Sequence, residues 1–216
     1  MKHFLLPALF AVFFSLPSGA QTSSPALPVN PPANEISVAY GVVPAVDLAV
    51  VMANVFGTLF TFGLVSFDHF SSTGALSLEY FHTLGRVVSL GGVAAYSACS
   101  LDRTRIAEAD ADGNARYEKY GEAYRIVSLM PAAKASWFRK PRVSMYSKVA
   151  VGAMSMSMNT VSRDDAAAAS ETQSDYSFAF QLSPVAVDFG GPHFRGFVET
   201  GFGWQGMLLA GLRYSF

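Results

Sequence analysis

The chain has 216 residues, 51% hydrophobic and 14% charged, with a net charge of −1 and one cysteine. These values exclude a disulfide-stapled miniprotein, a disordered chain and a strongly basic nucleic-acid binder. A chain so apolar must bury an unusual share of itself or sit against lipid.

Met1-Lys2-His3 supplies a positive start, Phe4 to Leu16 is almost wholly apolar, and Ser18-Gly19-Ala20 ends in small residues. That order of n-region, h-region and cleavage site reads as a signal peptide over residues 1–20. The alternative is an N-terminal anchor, but an apolar stretch interrupted by Pro7 falls short of the roughly 20 residues that cross a bilayer. No Cys follows it to carry a lipoprotein anchor. Losing Lys2 leaves 15 − 1 = 14 basic against 16 acidic residues, a net of −2, so no nucleic-acid partner is expected. Residues 21–34 hold Pro25, Pro28, Pro31 and Pro32 among small polar residues and read as a flexible tether. Cys99 has no partner for an internal disulfide.

Val42 to Phe67 is the densest apolar stretch, with Asp47 its only charge. Asp47, Asn54, Thr58 and Thr61 fall on one stripe of a helix expected over about 44–62. One reading buries that helix within a protein–lipid structure, its stripe facing other polar groups; the other has it cross the inner membrane alone.

From Thr73 onward the period becomes two. Leu76, Leu78, Tyr80, His82 and Leu84 alternate with Ala75, Ser77, Glu79, Phe81 and Thr83. Val127, Leu129, Pro131, Ala133, Ala135 and Trp137 alternate with Ser128, Met130, Ala132, Lys134 and Ser136. Val143, Met145, Val149 and Val151 oppose Ser144, Tyr146, Lys148 and Gly152. Alternation over about ten residues, with few charges and an apolar face ending in aromatics, describes transmembrane β-strands. A soluble sandwich alternates too.

The last strand favours the barrel. Leu208, Ala210, Leu212, Tyr214 and Phe216 share one face. A terminal Phe preceded by apolar residues at alternate positions resembles the assembly signal of bacterial outer-membrane barrels, which implies recognition by the barrel-assembly machinery. Turn residues then divide residues 35–216 into strands near 35–41, 73–84, 87–101, 119–137, 142–159, 175–189, 193–203 and 207–216. The fold class is all-β: an eight-stranded antiparallel transmembrane barrel with one short apolar helix between the first two strands. Short turns at 84–86, 138–141 and 190–192 would face the periplasm, and long loops at 42–72, 102–118 and 160–174 the outside.

Matching parity in the last hairpin calls for a three-residue turn, Trp204-Gln205-Gly206, with Gly203 facing Met207. At Pro184 the apolar parity switches from Phe178, Phe180 and Leu182 to Val185, Val187 and Phe189, which marks a β-bulge. Pro131 lies in a strand whose parity does not switch.

Asn34-Glu35-Ile36-Ser37-Val38, Tyr146-Ser147-Lys148-Val149-Ala150, Phe178-Ala179-Phe180-Gln181-Leu182-Ser183-Pro184 and Phe194-Arg195-Gly196-Phe197-Val198-Glu199 resemble small outer-membrane β-barrel proteins of the Bacteroidota. The likeness runs from about residue 34 to the end and implies fold and outer-membrane location, with no activity.

An eight-stranded bore is filled by its own side chains. Glu79, Lys134, Lys148, Arg195, Glu199 and Arg213 would face it as a paired polar network, with Glu199 and Arg213 diagonal neighbours. A structural or surface-interaction role follows, as a monomer among outer-membrane lipid with external ligands reached through 102–118 and 160–174. The alternative is a narrow channel or lateral path for small or hydrophobic solutes. A lipid-modifying enzyme would need a His, a Ser and an acid near the outer leaflet; His69 stands beside Asp68, Ser71 and Ser72, without the spacing of a triad. His82 and His193 fall near periplasmic turns. No cluster has metal-ligand spacing, and Gly91-Gly92 lies in a strand, so no metal, cofactor or nucleotide is expected. Met154, Met156 and Met158 read as a lipid-facing stripe after a bulge, with copper binding a distant second. The charges of 102–122 alternate in sign and read as a solvated loop.

Overall fold

The computed structural model describes residues 32–60, 65–109, 115–162 and 171–216. The signal peptide and nearly all of the tether lie outside the described residues. The elements are β1 (Asn34–Val42), α1 (Ala45–Phe60), β2 (Val65–Thr83), β3 (Val88–Ala109), β4 (Ala115–Arg139), β5 (Val143–Ser162), β6 (Glu171–Gly190), β7 (Phe194–Gly203) and β8 (Leu208–Ser215). Each strand pairs antiparallel with the next, and β1 closes on β8 in the register Glu35↔Ser215 to Val42↔Leu208. The result is a closed eight-stranded antiparallel barrel.

Side chains divide as the period of two dictates. Ile36, Val38, Tyr40, Leu76, Leu78, Leu90, Val127, Leu129, Val149, Val198, Leu208 and Leu212 point out and are exposed. Ser37, Ser77, Glu79, Phe81, Ser128, Lys134, Tyr146, Lys148, Glu199, Leu209 and Arg213 point in and are buried. Ala210, Tyr214 and Phe216 continue the outer face of β8. Exposed aromatics bound this apolar belt at both ends. Tyr80, Trp137, Phe189, Phe194, Tyr214 and Phe216 ring the end with the short turns, and Tyr40, Tyr96, Tyr176, Phe178 and Phe202 the other. Along β6, Phe178 and Phe189 stand about 28 Å apart down the barrel axis, taking a rise of ~3.3 Å and a tilt of ~40°, near the ~25 Å apolar band of a membrane barrel.

Parts of all three long outer loops of the sequence reading are strand. β2 begins at Val65, β3 runs to Ala109, β4 starts at Ala115, β5 reaches Ser162 and β6 starts at Glu171. Charges that alternate in sign suit a hairpin wetted on both faces as well as they suit a loop: Arg105 stands opposite Glu118 and Thr104 opposite Lys119. Five strands therefore rise beyond the belt, while β7, β8 and β1 stop at it.

Both prolines now have a physical setting. The β5–β6 and β6–β7 registers each slip at Pro184, between Tyr146 and Lys148 and between Leu182 and Val185, as a bulge demands. Pro131 keeps its β3 partner, Gly92, while β4–β5 pairing lapses between Leu129 and Ala132 and resumes in the same register. In that gap Gly152 takes the β4 backbone against its own Cα: a Cβ there would lie 2.1 Å from the Leu129 carbonyl oxygen. Missing donor and missing side chain share one spot. Gly152→Ala should therefore push the strands apart and lower the unfolding free energy of the refolded barrel, read from urea titration, by about 1–3 kcal/mol.

Candidate functional site in the bore and outer wall

The end of the bore nearest the short turns is a charged network. Lys148 Nζ, from β5, sits 2.6 Å from both Glu79 Oε1 of β2 and Glu199 Oε2 of β7. Tyr146 donates to Glu199 Oε1 (2.6 Å) and accepts from Arg213 Nη2 (2.7 Å). Arg213 Nη1 donates to Asp188 Oδ2 (2.9 Å), and Arg195 Nη1 donates to Asp188 Oδ1 (2.8 Å). Lys134 pairs with Glu35, whose Oε2 also lies 3.7 Å from Arg213 Nε. The Arg213 guanidinium is sandwiched near the rings of Tyr146 (4.8 Å) and Phe197 (4.7 Å). Four carboxylates thus meet four cations, at 0% to 12% side-chain exposure.

All six charged residues singled out from sequence line this bore, but Glu199 and Arg213 are not diagonal neighbours. Glu199 stands opposite Leu209 and Arg213 opposite Arg195, so Tyr146 is the link between them. The cause is the β7–β8 tip. Gly201 donates to the Met207 carbonyl, two residues short of the expected Gly203–Met207 pair. Gly203 and Gly206 take φ of 145° and 122°, values that favour glycine, and the longer tip folds inward. Gln205 is thereby fully buried. Its Nε2 donates to Glu79 Oε1 (2.8 Å) and Ser77 Oγ (2.9 Å), while its backbone N–H donates to Gln181 Oε1 (2.9 Å).

Above Gln205 the bore turns apolar. Val93, Cys99, Ile126, Met130, Met154 and Ala179 pack there with Phe70, Tyr124, Met156 and Trp204. Met154 is 6% exposed and Met156 packs against the same cluster, so these methionines are not lipid-facing. No slip occurs in β5 after Lys148, and they keep the inward parity of Tyr146 and Lys148. The top of the cluster is Val46 of α1, with Val50 beside it. The chain reaches α1 through Val43, a β-branched residue at φ 53° immediately before Pro44. That sharp reversal is strained. It is held by the insertion of Val46 and by Ser72 Oγ donating to Asp47 Oδ2 at 2.7 Å.

The outer wall has two lateral edges. On β2, residues 65–73 extend past the end of β1. On β6, residues 171–179 extend past the last β7 pair, Gln181↔Gly203, and past the Phe180 carbonyl that accepts from the Trp204 N–H (3.0 Å). Helix α1 contacts β2. The helix is about 24 Å long, and Ser72 to Val65 spans about 23 Å of strand, so α1 is long enough to flank that edge from the mouth to its top. Among the described residues nothing flanks the β6 edge, where Tyr176 and Phe178 are among the most exposed side chains.

Of the remaining histidines, His82 Nδ1 lies 2.9 Å from Asn34 Oδ1 and His193 Nδ1 lies 3.0 Å from the Ser215 carbonyl. His69 is in β2, opposite Asp102, rather than in a loop. Among the described residues no group of three His, Cys, Asp or Glu could hold a metal, and no helix is long and apolar enough to cross a membrane.

No family model matches the chain, and no curated protein matches it. Among solved structures it is similar to Ail, the attachment invasion locus protein of Yersinia pestis, with 14% identity and a TM-score of 0.43 over 87% of this chain and 100% of that one. It is likewise similar to Ail in complex with the heparin analogue sucrose octasulfate, at 13% identity and a TM-score of 0.44 with the same coverage.

Proposed function

We propose that the protein is a small, monomeric outer-membrane barrel of the kind its sequence resembles in the Bacteroidota, plugged along its bore and acting by contact at the cell surface. The short turns and the Glu35–Ser215 end of the β1–β8 seam then face the periplasm. The alternating face of Leu208 to Phe216 serves the assembly machinery, and the apolar belt meets lipid. The carrying observation is the unequal height of the barrel: five strands rise past the belt and leave the β6 edge, residues 171–179, without a paired strand on one side among the described residues. A bare strand edge is normally covered or blunted because its N–H and C=O groups recruit other strands. Here α1 contacts the β2 edge and among the described residues nothing covers the β6 edge, which supports a surface that receives a partner chain.

Plugging rests on the paired charges and on the apolar lid formed by Val46 and Trp204. The protein should fractionate with the outer membrane, run faster on a gel before boiling than after, and pass no current in a planar bilayer. A steady conductance would favour the solute-path reading. An inner-membrane band whose mobility ignores boiling would remove the barrel from the outer membrane altogether. Single cysteines placed at Gln173 and Asp175 in a Cys99→Ser background should react on intact cells with a membrane-impermeant maleimide; protection of both would count against an outward β6 edge.

A further inference from the structure

The short-turn end carries a charge pattern that the bore does not explain. Its three turns are stitched together: Arg139 Nη1 donates to the Arg86 carbonyl (3.2 Å), Arg195 Nη2 to the Pro141 carbonyl (3.2 Å), and the Gly190 N–H to the Arg142 carbonyl (2.9 Å). On this rim Arg86, Lys140 and Arg142 are exposed. The acids nearest this end, Glu35 and Asp188, are turned into the bore and already engaged by Lys134, Arg213 and Arg195. Among the described residues, every exposed charged side chain of the rim is therefore a cation.

The cations also sit at a defined depth. Trp137, Phe138, Phe194, Tyr214 and Phe216 form the adjoining aromatic girdle, and Lys140 Nζ lies 5.4 Å from the centre of the Phe138 ring. Leu84, Val87 and Val143, at the ends of the same turns, are exposed and apolar. Long basic side chains rooted at the foot of an apolar belt place their charge where hydrocarbon gives way to headgroup phosphate.

We propose that this rim is a binding collar for the phosphodiester groups of anionic glycerophospholipid in the leaflet that holds the short-turn end. The inference rests on the membrane reading above. Lipid is the occupant because the collar continues the apolar belt without a break, so phosphate and acyl chain are engaged together, which free phosphate cannot do. A neutral zwitterionic headgroup offers the same phosphate with its charge cancelled, so the collar should discriminate by net headgroup charge.

The test uses the full chain refolded in mixed micelles of phosphatidylglycerol and phosphatidylcholine, with retained lipids counted by native mass spectrometry. Each basic residue near a charged surface is worth about fivefold. The wild type should favour phosphatidylglycerol by roughly 10- to 100-fold, and the triple variant Arg86→Gln/Lys140→Gln/Arg142→Gln should retain the two lipids nearly equally. Arg125→Gln, an exposed cation at the opposite end, should leave the preference intact. An equal preference in wild type and triple variant overturns the collar, as does an equal loss in Arg125→Gln. Displacement of phosphatidylglycerol by inorganic phosphate at matched concentration overturns the lipid assignment. Failure of the membrane reading shows separately, as a band that boiling does not shift in any lipid, and it removes the collar as well.

Discussion

Lys148→Met should be the most damaging single substitution in the bore. Among the described residues, Lys148 is the only group placed within 2.6 Å of two carboxylates, Glu79 and Glu199, and neither it nor they reach solvent. Removing the cation leaves two buried negative charges facing each other. Breaking one buried pair by deleting a partner costs about 3–5 kcal/mol, and this change breaks two. The unfolding free energy of the refolded barrel from urea titration should fall by at least that much, and the temperature needed to convert the fast gel form to the slow one should drop with it.

The neighbouring substitutions give an order that a mere packing effect would not. Glu199→Ala also lowers heat resistance, but less, because Lys148 loses one carboxylate and keeps Glu79, and no charge is left without a partner although the Tyr146 hydroxyl loses its acceptor. The triple change Glu79→Gln/Lys148→Met/Glu199→Gln removes charge without orphaning any, and should recover most of the loss, as replacing a whole buried network often does. If Lys148→Met melts like the wild type, or the triple variant is worse than the single, the network is not what holds the bore.

How far this was readable in advance depends on whether a feature is local. Which side chains face inward follows from parity, so Glu79, Lys148 and Arg213 could be placed in the bore from sequence. Which of them meet could not, because Glu79 and Lys148 come from β2 and β5 and touch only across the closed barrel. Asp188 was within reach: once Pro184 is taken as a bulge, even-numbered residues after it point inward. Glu35 shares its parity with Ser37 and was equally legible. The inward methionines were hidden by their chemistry, since an apolar residue normally marks the lipid side; here the upper bore is apolar because α1 and the β7–β8 tip cap it. The outer wall was missed because alternating charge gives strand and solvated loop the same appearance.

Deleting Pro184 should leave the barrel standing, while deleting Gln181, three residues away, should collapse it. The bulge exists because β6 carries one residue more than its neighbours can pair, so Ala179, Gln181 and Ser183 point inward above it and Ala186 and Asp188 below it. Removing Pro184 removes that extra residue: Leu182, Ser183, Val185 and Ala186 then alternate out and in, and the pairs Lys148↔Ser183 and Tyr146↔Ala186 stand two residues apart on both strands. Both halves of β6 keep their faces, and the loss is confined to the bulge and to the Pro184 carbonyl that accepts from Ser147 Oγ at 2.6 Å, at about 1–2 kcal/mol. Without Gln181 no such match exists. If the bulge stays, Phe178 and Phe180 turn into the bore; if the bulge is absorbed, Leu182 and Pro184 turn in and Ser183 turns out. In both cases the Gln205 N–H and the Gly206 carbonyl lose their Gln181 partner, and several penalties of about 2–4 kcal/mol fall on a fold whose whole margin is typically ~5–15 kcal/mol. The readout is the fraction of refolded protein in the fast-migrating gel form; a Pro184 deletion that fails to fold, or a Gln181 deletion that folds normally, would mean that the faces assigned along β6 are wrong.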